Sequence, residues 1–400
     1  DTKNIIGEIY YQDKKTMLKL EEQRKKITVE IDEKSSKNCV QGTKVVVNLV
    51  KEKTKNHYIG TVVNILGHKD DPGVDIKTIA YKYAIYEEFS KSALDQTEKI
   101  PVLVDSKELT GRKDLTNEII FTIDGDDTKD IDDAISIKKL TNGNYQLGVH
   151  IADVSYYVKE NSPLDLEARH RGTSVYLTDR VLPMLPHQLS NGICSLNPNV
   201  SRLATSCVME IDSNGNIIKY EIFESVIKSR IQMTYKKVND YLERGIVDPE
   251  YEPFTKDLTM MSNLPKIVRK NKINRGFIDF DTDEIKIIVD KKGVPVEITK
   301  RDRGVGEELI EDFMILANET VATHLYNMHM PSVYRVHGKP DEKRLRHFID
   351  ILASLGINFK LDLKKVNPIT IQKIIDDQID IDRLLVVTFT NAAASEMRER

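Results

Sequence analysis

The stretch that decides the reading is "EIIFTIDGDDTKDIDDAISI", residues Glu118–Ile137. An apolar run leads in, a second apolar run leads out, and six of the eleven residues from Ile123 to Asp133 are aspartates. The flanks have the β-branched and aromatic character of buried strands, so the acidic loop joins two strands of a core and is no free tail. Carboxylates crowded this closely repel one another by roughly 1 kcal/mol per pair in water and by more where water is scarce. A divalent cation among them would remove that cost. A calcium EF-hand does not fit, because a loop starting at Asp124 would need an acid or Asn at 128 and a glycine at 129, where Thr128 and Lys129 stand. Magnesium suits better. It takes few carboxylates together with waters and substrate phosphates, which points to metal-assisted phosphodiester hydrolysis.

Working outward, residues 1–66 read as five short strands separated by polar turns: "IIGEIYY", "TMLKLEE", "KITVEID", "TKVVVNLV" and "YIGTVVNIL". Five strands at this spacing suit a small barrel of the OB type. Residues 67–115 are mixed in composition and read as a connecting segment with two short helices, "IKTIAYKYAI" and "YEEFSKSALDQ". From 116 the pattern becomes α+β, with strands such as "YQLGVHIA" and "EIKIIVD" alternating with longer helices. The clearest helix spans 305–328, where Leu309, Phe313, Leu316, Ala317 and Val321 recur at helical spacing. The fold class expected is thus α+β multidomain, an OB-type barrel followed by an α+β domain.

With 400 residues the chain is long enough for two or three domains, and its 40% hydrophobic content can fill their cores. The net charge of −4 carries no global signature of nucleic-acid binding, although the first 60 residues hold 13 Lys/Arg against 9 Asp/Glu. Three cysteines without CxxC or Cys/His spacing speak against a zinc site or a disulfide framework, and for a reducing compartment. No apolar run reaches membrane-spanning length and no signal peptide opens the chain, so the expected location is the cytoplasm, without a membrane partner. His150 and His337 are read as structural, since carboxylate chemistry needs no histidine base.

At this point the motifs become recognisable. "TIDGDDTKDIDDAIS", then "GVHIADVSYYV", "TSVYLTDRVLPMLP", "LSNGICSLNP" and "LIEDFMILANE", resemble the ribonuclease II/ribonuclease R family, nearest to its bacterial ribonuclease R branch, over about residues 1–372. The resemblance implies a cold-shock-type OB barrel over 1–66, a connecting segment over 67–115, and the N-terminal part of an RNB catalytic domain over 116–372. It implies a monomeric, processive 3′→5′ exoribonuclease that takes the single-stranded 3′ end of RNA and releases nucleoside 5′-monophosphates, with Mg²⁺ and no nucleotide cofactor. Carried over position by position, it makes Asp124, Asp130, Asp132 and Asp133 both the metal carboxylates and the catalytic set, Asp132 being the most critical. Asp126 and Asp127 become supporting charge. It makes Tyr176 an aromatic that stacks on a base near the 3′ end, Tyr235 a second aromatic of the RNA channel, and Glu311 a carboxylate facing the terminal nucleotide, with Asp312 as its competitor.

The chain departs from the family pattern in two ways. The family's "TSPIRRY"-like segment, whose arginine stabilises charge on the scissile phosphate, has no counterpart here, nor do the S1 barrel and the upstream first cold-shock domain. Loss of such a stabiliser typically costs on the order of 10²–10³ in rate, so a catalytically incomplete RNA-binding remnant is the first alternative function, and a DNA helicase fragment, resting on the tail alone, is the second. Residues 374–400, with "LLVVTFTNAAASEMRER", resemble a UvrD-like DNA helicase, in particular the AddA helicase–nuclease subunit. This suggests a chimeric junction near Gln372–Asp377. A working DNA motor is excluded on sequence, because no G-x-x-x-x-G-K-[ST] loop occurs.

Overall fold

The computed structural model describes residues 4–21, 27–277, 285–290, 293–300, 303–336, 341–354 and 369. In chain order the elements begin with β1 (Asn4–Gln12), β2 (Lys15–Leu20), β3 (Thr28–Ile31), β4 (Thr43–Thr54), β5 (His57–His68), α1 (Val74–Lys82) and α2 (Lys91–Thr97). Next come β6 (Lys113–Leu115), β7 (Thr122–Asp124), β8 (Asp133–Lys139), β9 (Tyr145–Ala152), α3 (Val154–Tyr157) and α4 (Pro163–Arg171). The chain continues through β10 (Val175–Tyr176), β11 (Val181–Leu182), β12 (Ser201–Ile211), β13 (Ile217–Lys228) and β14 (Gln232–Thr234). The last of the described elements are α5 (Tyr235–Arg244), α6 (Thr255–Asn274), the hairpin β15 (Ile285–Val289) and β16 (Pro295–Lys300), α7 (Val305–Asn327) and α8 (Glu342–Ser354).

Two compact units result, and neither is continuous in sequence. The first takes Asp1–Asp105, Asp153–Ser195 and Asp283–Asp302; the second takes Ser106–Ala152, Leu196–Thr282 and Arg303–Arg400.

In the first unit all five expected strands form, and they close into a barrel in the order β1-β2-β3-β5-β4. Alternation decides what lies inside: Ile5 and Ile9 of β1, Leu18, Val29, Ile31, and Val45 and Val47 of β4. Gly60 of β5 is required at the closure, since a Cβ there would sit 2.3 Å from Val47 Cγ1 and 3.1 Å from Val29 Cγ1. Val46, pointing the other way, packs with Leu66 and with Tyr81 of α1. The helix expected at 86–96 starts later. Ser90 caps α2 by accepting from Ala93 N–H, and Tyr86–Phe89 are not helical.

The second unit is built on a five-stranded sheet, β6-β13-β12-β9-β8, antiparallel except that edge strand β6 runs parallel to β13. One face carries Ile135, Ile137, Leu147, Val149, Cys207 and Met209, and these are covered by Val238 of α5, Leu258 and Met261 of α6, and Leu309, Phe313 and Leu316 of α7. The periodic stripe read from residues 305–328 is therefore the stripe that covers the sheet, with Val321 packed at its margin. The opposite face is polar: His150 is buried there, with Nδ1 2.7 Å from Ser206 Oγ and Nε2 3.0 Å from Ser136 Oγ. Gly148 makes room for this ring, because a Cβ would lie 2.9 Å from His150 Nε2 and 2.4 Å from Ser136 Oγ. His150 thus occupies the structural place expected of it, while His337 falls outside the described residues. Cys39, Cys194 and Cys207 are buried, and none of the three is in a disulfide. Among the described residues no helix is long and apolar enough to cross a membrane.

Candidate active site

The acidic loop leaves the core at the end of β7 and re-enters it at the start of β8. Phe121 and Ile135 exchange both backbone hydrogen bonds, 3.1 and 2.9 Å, and so clamp the loop's two ends together. Asp124 is the last residue of β7, opposite Thr234 of β14 in a short parallel pair. Asp133 is the first residue of β8, opposite Ile151 of β9. Between them the run Asp130-Ile131-Asp132 alternates. Ile131 is 1% exposed and anchors the loop, its carbonyl accepting from Leu196 N–H at 2.9 Å. The carbonyl of Asp132 accepts from Ala152 N–H at 2.9 Å. An apolar residue turned inward leaves its two neighbouring carboxylates directed away from the core. Asp126 and Asp127 lie exposed on the outer part of the loop.

Further down, Thr128 N–H donates to Gly125 O at 3.1 Å, and Gln232 Nε2 donates to Thr128 O at 3.1 Å. Gln232 is a part of the site that sequence reading missed. Its contact spans more than a hundred residues and leaves no local signal.

The electrostatics follow from burial and crowding. Asp124 is buried, and desolvation together with the charges of Asp132 and Asp130 pushes its carboxyl up to about 6. Asp133 is pushed up to about 7 by burial and by the charges of Asp132 and Asp124. Asp124 Oδ2 is buried with no hydrogen-bond partner. An orphaned carboxylate oxygen among mutually repelling acids is a donor set suited to a hard cation, and all four residues offer the oxygen ligands that Mg²⁺ takes. Among the described residues no three acidic, His or Cys groups already stand as a metal cage.

The other expected site residues are placed as follows. Tyr176 lies in the first unit, on the β10–β11 hairpin, with 65% of its surface exposed. Tyr235 opens α5 directly after Thr234 and packs against the core of the second unit. Glu311 is an exposed acid of α7 and pairs with Arg303 at 2.7 Å. Its competitor Asp312 is 3% exposed and lies 3.3 Å from Arg269 Nε and 3.6 Å from Lys272 Nζ. Asp312 is thus tied into the α6–α7 interface and Glu311 is not. Replacing Asp312 by Ala takes the carboxylate from Lys272 and leaves Arg269 with Glu308, and it is expected to cost about 2 kcal/mol in urea denaturation, with RNA affinity unchanged. Glu311→Gln should do the reverse, leaving stability within about 0.5 kcal/mol and altering RNA affinity. The opposite pattern would exchange the two assignments.

Comparison with known proteins adds the family. The RNB domain model matches residues 112–397, and the cold shock domain model matches residues 18–90. The chain is 52% identical over 302 residues to ribonuclease R 1 of Lactococcus lactis, covering 75% of this chain and 37% of that protein. To ribonuclease R of Thermotoga maritima it is 46% identical over 343 residues, covering 84% and 48%. Among solved structures, Mycoplasma genitalium RNase R in complex with ribose-methylated single-stranded RNA superposes with a TM-score of 0.88 at 30% identity, over 96% of this chain and 62% of that one. The chain belongs to the ribonuclease II/ribonuclease R family, built as a cold-shock barrel followed by an RNB domain. It spans about half, or less, of the length of these curated relatives. The RNB match runs on to residue 397, across the expected junction near Gln372–Asp377, and lends no support to a helicase fragment there. Residues 374–400 lie outside the described residues.

Proposed function

We propose that this chain carries the metal-binding carboxylates of a Mg²⁺-dependent 3′→5′ exoribonuclease that converts single-stranded RNA processively to nucleoside 5′-monophosphates. The observation that carries the reading is that Asp124, Asp130, Asp132 and Asp133 lie along one β7–β8 loop, where the charges of Asp130 and Asp132 help raise Asp124 and those of Asp132 and Asp124 help raise Asp133, with Asp124 Oδ2 left without a hydrogen-bond partner, in a chain of this family. The relatives are ribonucleases R, and the similar solved structure is one bound to single-stranded RNA, which supports RNA as the partner.

In this reading the four aspartates hold Mg²⁺, which when bound neutralises phosphate charge and lowers the pKa of a coordinated water. The residues themselves divide the remaining work. Asp124, buried at the strand end, is the fixed ligand. Asp132, exposed on the loop, orients the attacking water. Tyr176 stacks on a base near the 3′ end without regard to sequence, and Tyr235 lines the channel. Glu311, steadied by Arg303, faces the terminal nucleotide. The protein acts in the cytoplasm as a monomer.

The test is product identity. Incubated with 3′-tailed RNA and Mg²⁺, the chain should release nucleoside 5′-monophosphates from the 3′ end. A folded chain that binds the same RNA and releases none would overturn the hydrolytic reading and leave an RNA-binding function.

A further inference from the structure

The hairpin that presents Tyr176 is too short to hold itself. Its ladder has two residue pairs, Val175 with Leu182 and Tyr176 with Val181, and a hairpin of even ordinary length is only marginally stable alone. Yet its tip is fixed. Leu177 N–H donates to Arg180 O at 2.9 Å and closes the turn. The Asp179 carboxylate, whose side chain is 7% exposed, accepts from Arg180 Nε at 3.2 Å and from Nη2 at 2.8 Å. The remaining arm of that guanidinium, Nη1, donates to Glu87 Oε1 at 2.7 Å. The tip also lies close against Gly73, the residue before α1, where a Cβ would come within 2.7 Å of both Arg180 Nη2 and Asp179 Oδ2.

The strap that receives this contact is held a second time. Arg171, just before the hairpin, donates through Nη1 to Tyr86 O at 2.8 Å and through Nη2 to Glu88 O at 2.6 Å, and its guanidinium stacks 3.8 Å from the centre of the Phe89 ring. Residues Tyr86–Phe89 are therefore gripped by the hairpin's tip and by Arg171 ahead of its first strand, and the sequence reading of this stretch as part of a connector misses that role.

We propose that the Glu87–Arg180–Asp179 triad, seated on the 86–89 strap, is a positioning device that fixes the orientation of Tyr176 for stacking on an RNA base. The inference rests on the reading of Tyr176 as the stacking aromatic. The triad is joined within itself: the guanidinium of Arg180 has its three nitrogens engaged by Asp179 and Glu87.

The test measures affinity of the full chain for a fluorescent single-stranded oligoribonucleotide without divalent ions, by anisotropy, with thermal melts alongside. Tyr176→Ala and Arg180→Ala should each weaken binding by roughly tenfold, the worth of one stacked base. Their combination should weaken it little further, and Arg180→Lys should recover part of the loss. Glu87→Gln is the deciding variant. It removes a negative charge, so a purely electrostatic role for this patch predicts tighter binding, whereas the positioning role predicts weaker binding with the overall fold intact. Tighter or unchanged binding by Glu87→Gln, or full additivity of Tyr176→Ala with Arg180→Ala, overturns the proposal while Tyr176 keeps its role. Unchanged binding by Tyr176→Ala removes the stacking reading and the proposal together.

Discussion

Asp132→Asn is expected to lower the rate of nucleotide release by on the order of 10²–10³ while leaving the fold and RNA affinity in place. The substitution keeps the shape of the side chain and removes one negative charge from a residue that is exposed on the loop, so packing loses nothing. It also relieves part of the repulsion that raises Asp133 and Asp124, and the variant should be as stable as the parent or slightly more so. A carboxylate that stabilises the fold would behave in the opposite way. Loss of activity with retained or increased melting temperature is the signature of charge crowded together for a cation. Single-turnover assays on 3′-tailed RNA, run beside melts of both proteins, measure the two quantities. Products released at the parental rate would remove Asp132 from the site.

The second large effect is on stability against pH. His150 is 1% exposed and its hydrogen bonds go to serine hydroxyls, so burial without a counter-charge pushes its imidazole down to about 4. In the unfolded chain the same group titrates near 6.5. Above that value neither state protonates and His150 contributes no pH dependence. As the pH falls from about 6.5 to about 4 the unfolded state binds a proton that the folded state refuses, and stability drops by roughly 3 kcal/mol before levelling off. Asp124 and Asp133 work in the other direction over part of this range. Their raised folded values mean that the folded state takes up protons first, which stabilises it as the pH falls. A bare pH profile therefore mixes the two effects. The difference between the parent and His150→Gln cancels the carboxylates and should shrink steadily between about pH 6.5 and 4, as the parent loses its advantage. A difference independent of pH would mean that the imidazole is charged or hydrated in the folded state.

Much of this molecule was readable wherever the information is local. The barrel strands show in their alternation, because Val45 and Val47 point in while Val46 points out, and a period of two survives in sequence. Helix α7 shows for the same reason at a period of 3.6. The acidic loop shows because unlike flanks bracket an improbable density of one charge.

What was not readable is long-range. The expected strand 118–123 narrows to β7 at Thr122–Asp124, since Ile120 instead accepts from Arg230 N–H, 110 residues away, at 2.7 Å. Tyr86–Phe89 carry helix-compatible residues but are held out of a helix by Arg171 and Arg180. The inclusion of Asp153–Ser195 in the first unit depends on contacts that no window of sequence contains. At the site itself the acids were legible, whereas Gln232, which ties down their loop, was not.

The central claim is that the four aspartates form one cation site. Titrating the metal-free protein with Mn²⁺, a spectroscopically visible stand-in for Mg²⁺, and counting bound ions by electron paramagnetic resonance tests it most directly. The account predicts saturable binding that Mg²⁺ displaces and that Asp124→Asn combined with Asp132→Asn abolishes, with the melting temperature retained. Binding of equal affinity and stoichiometry in that double variant would contradict it.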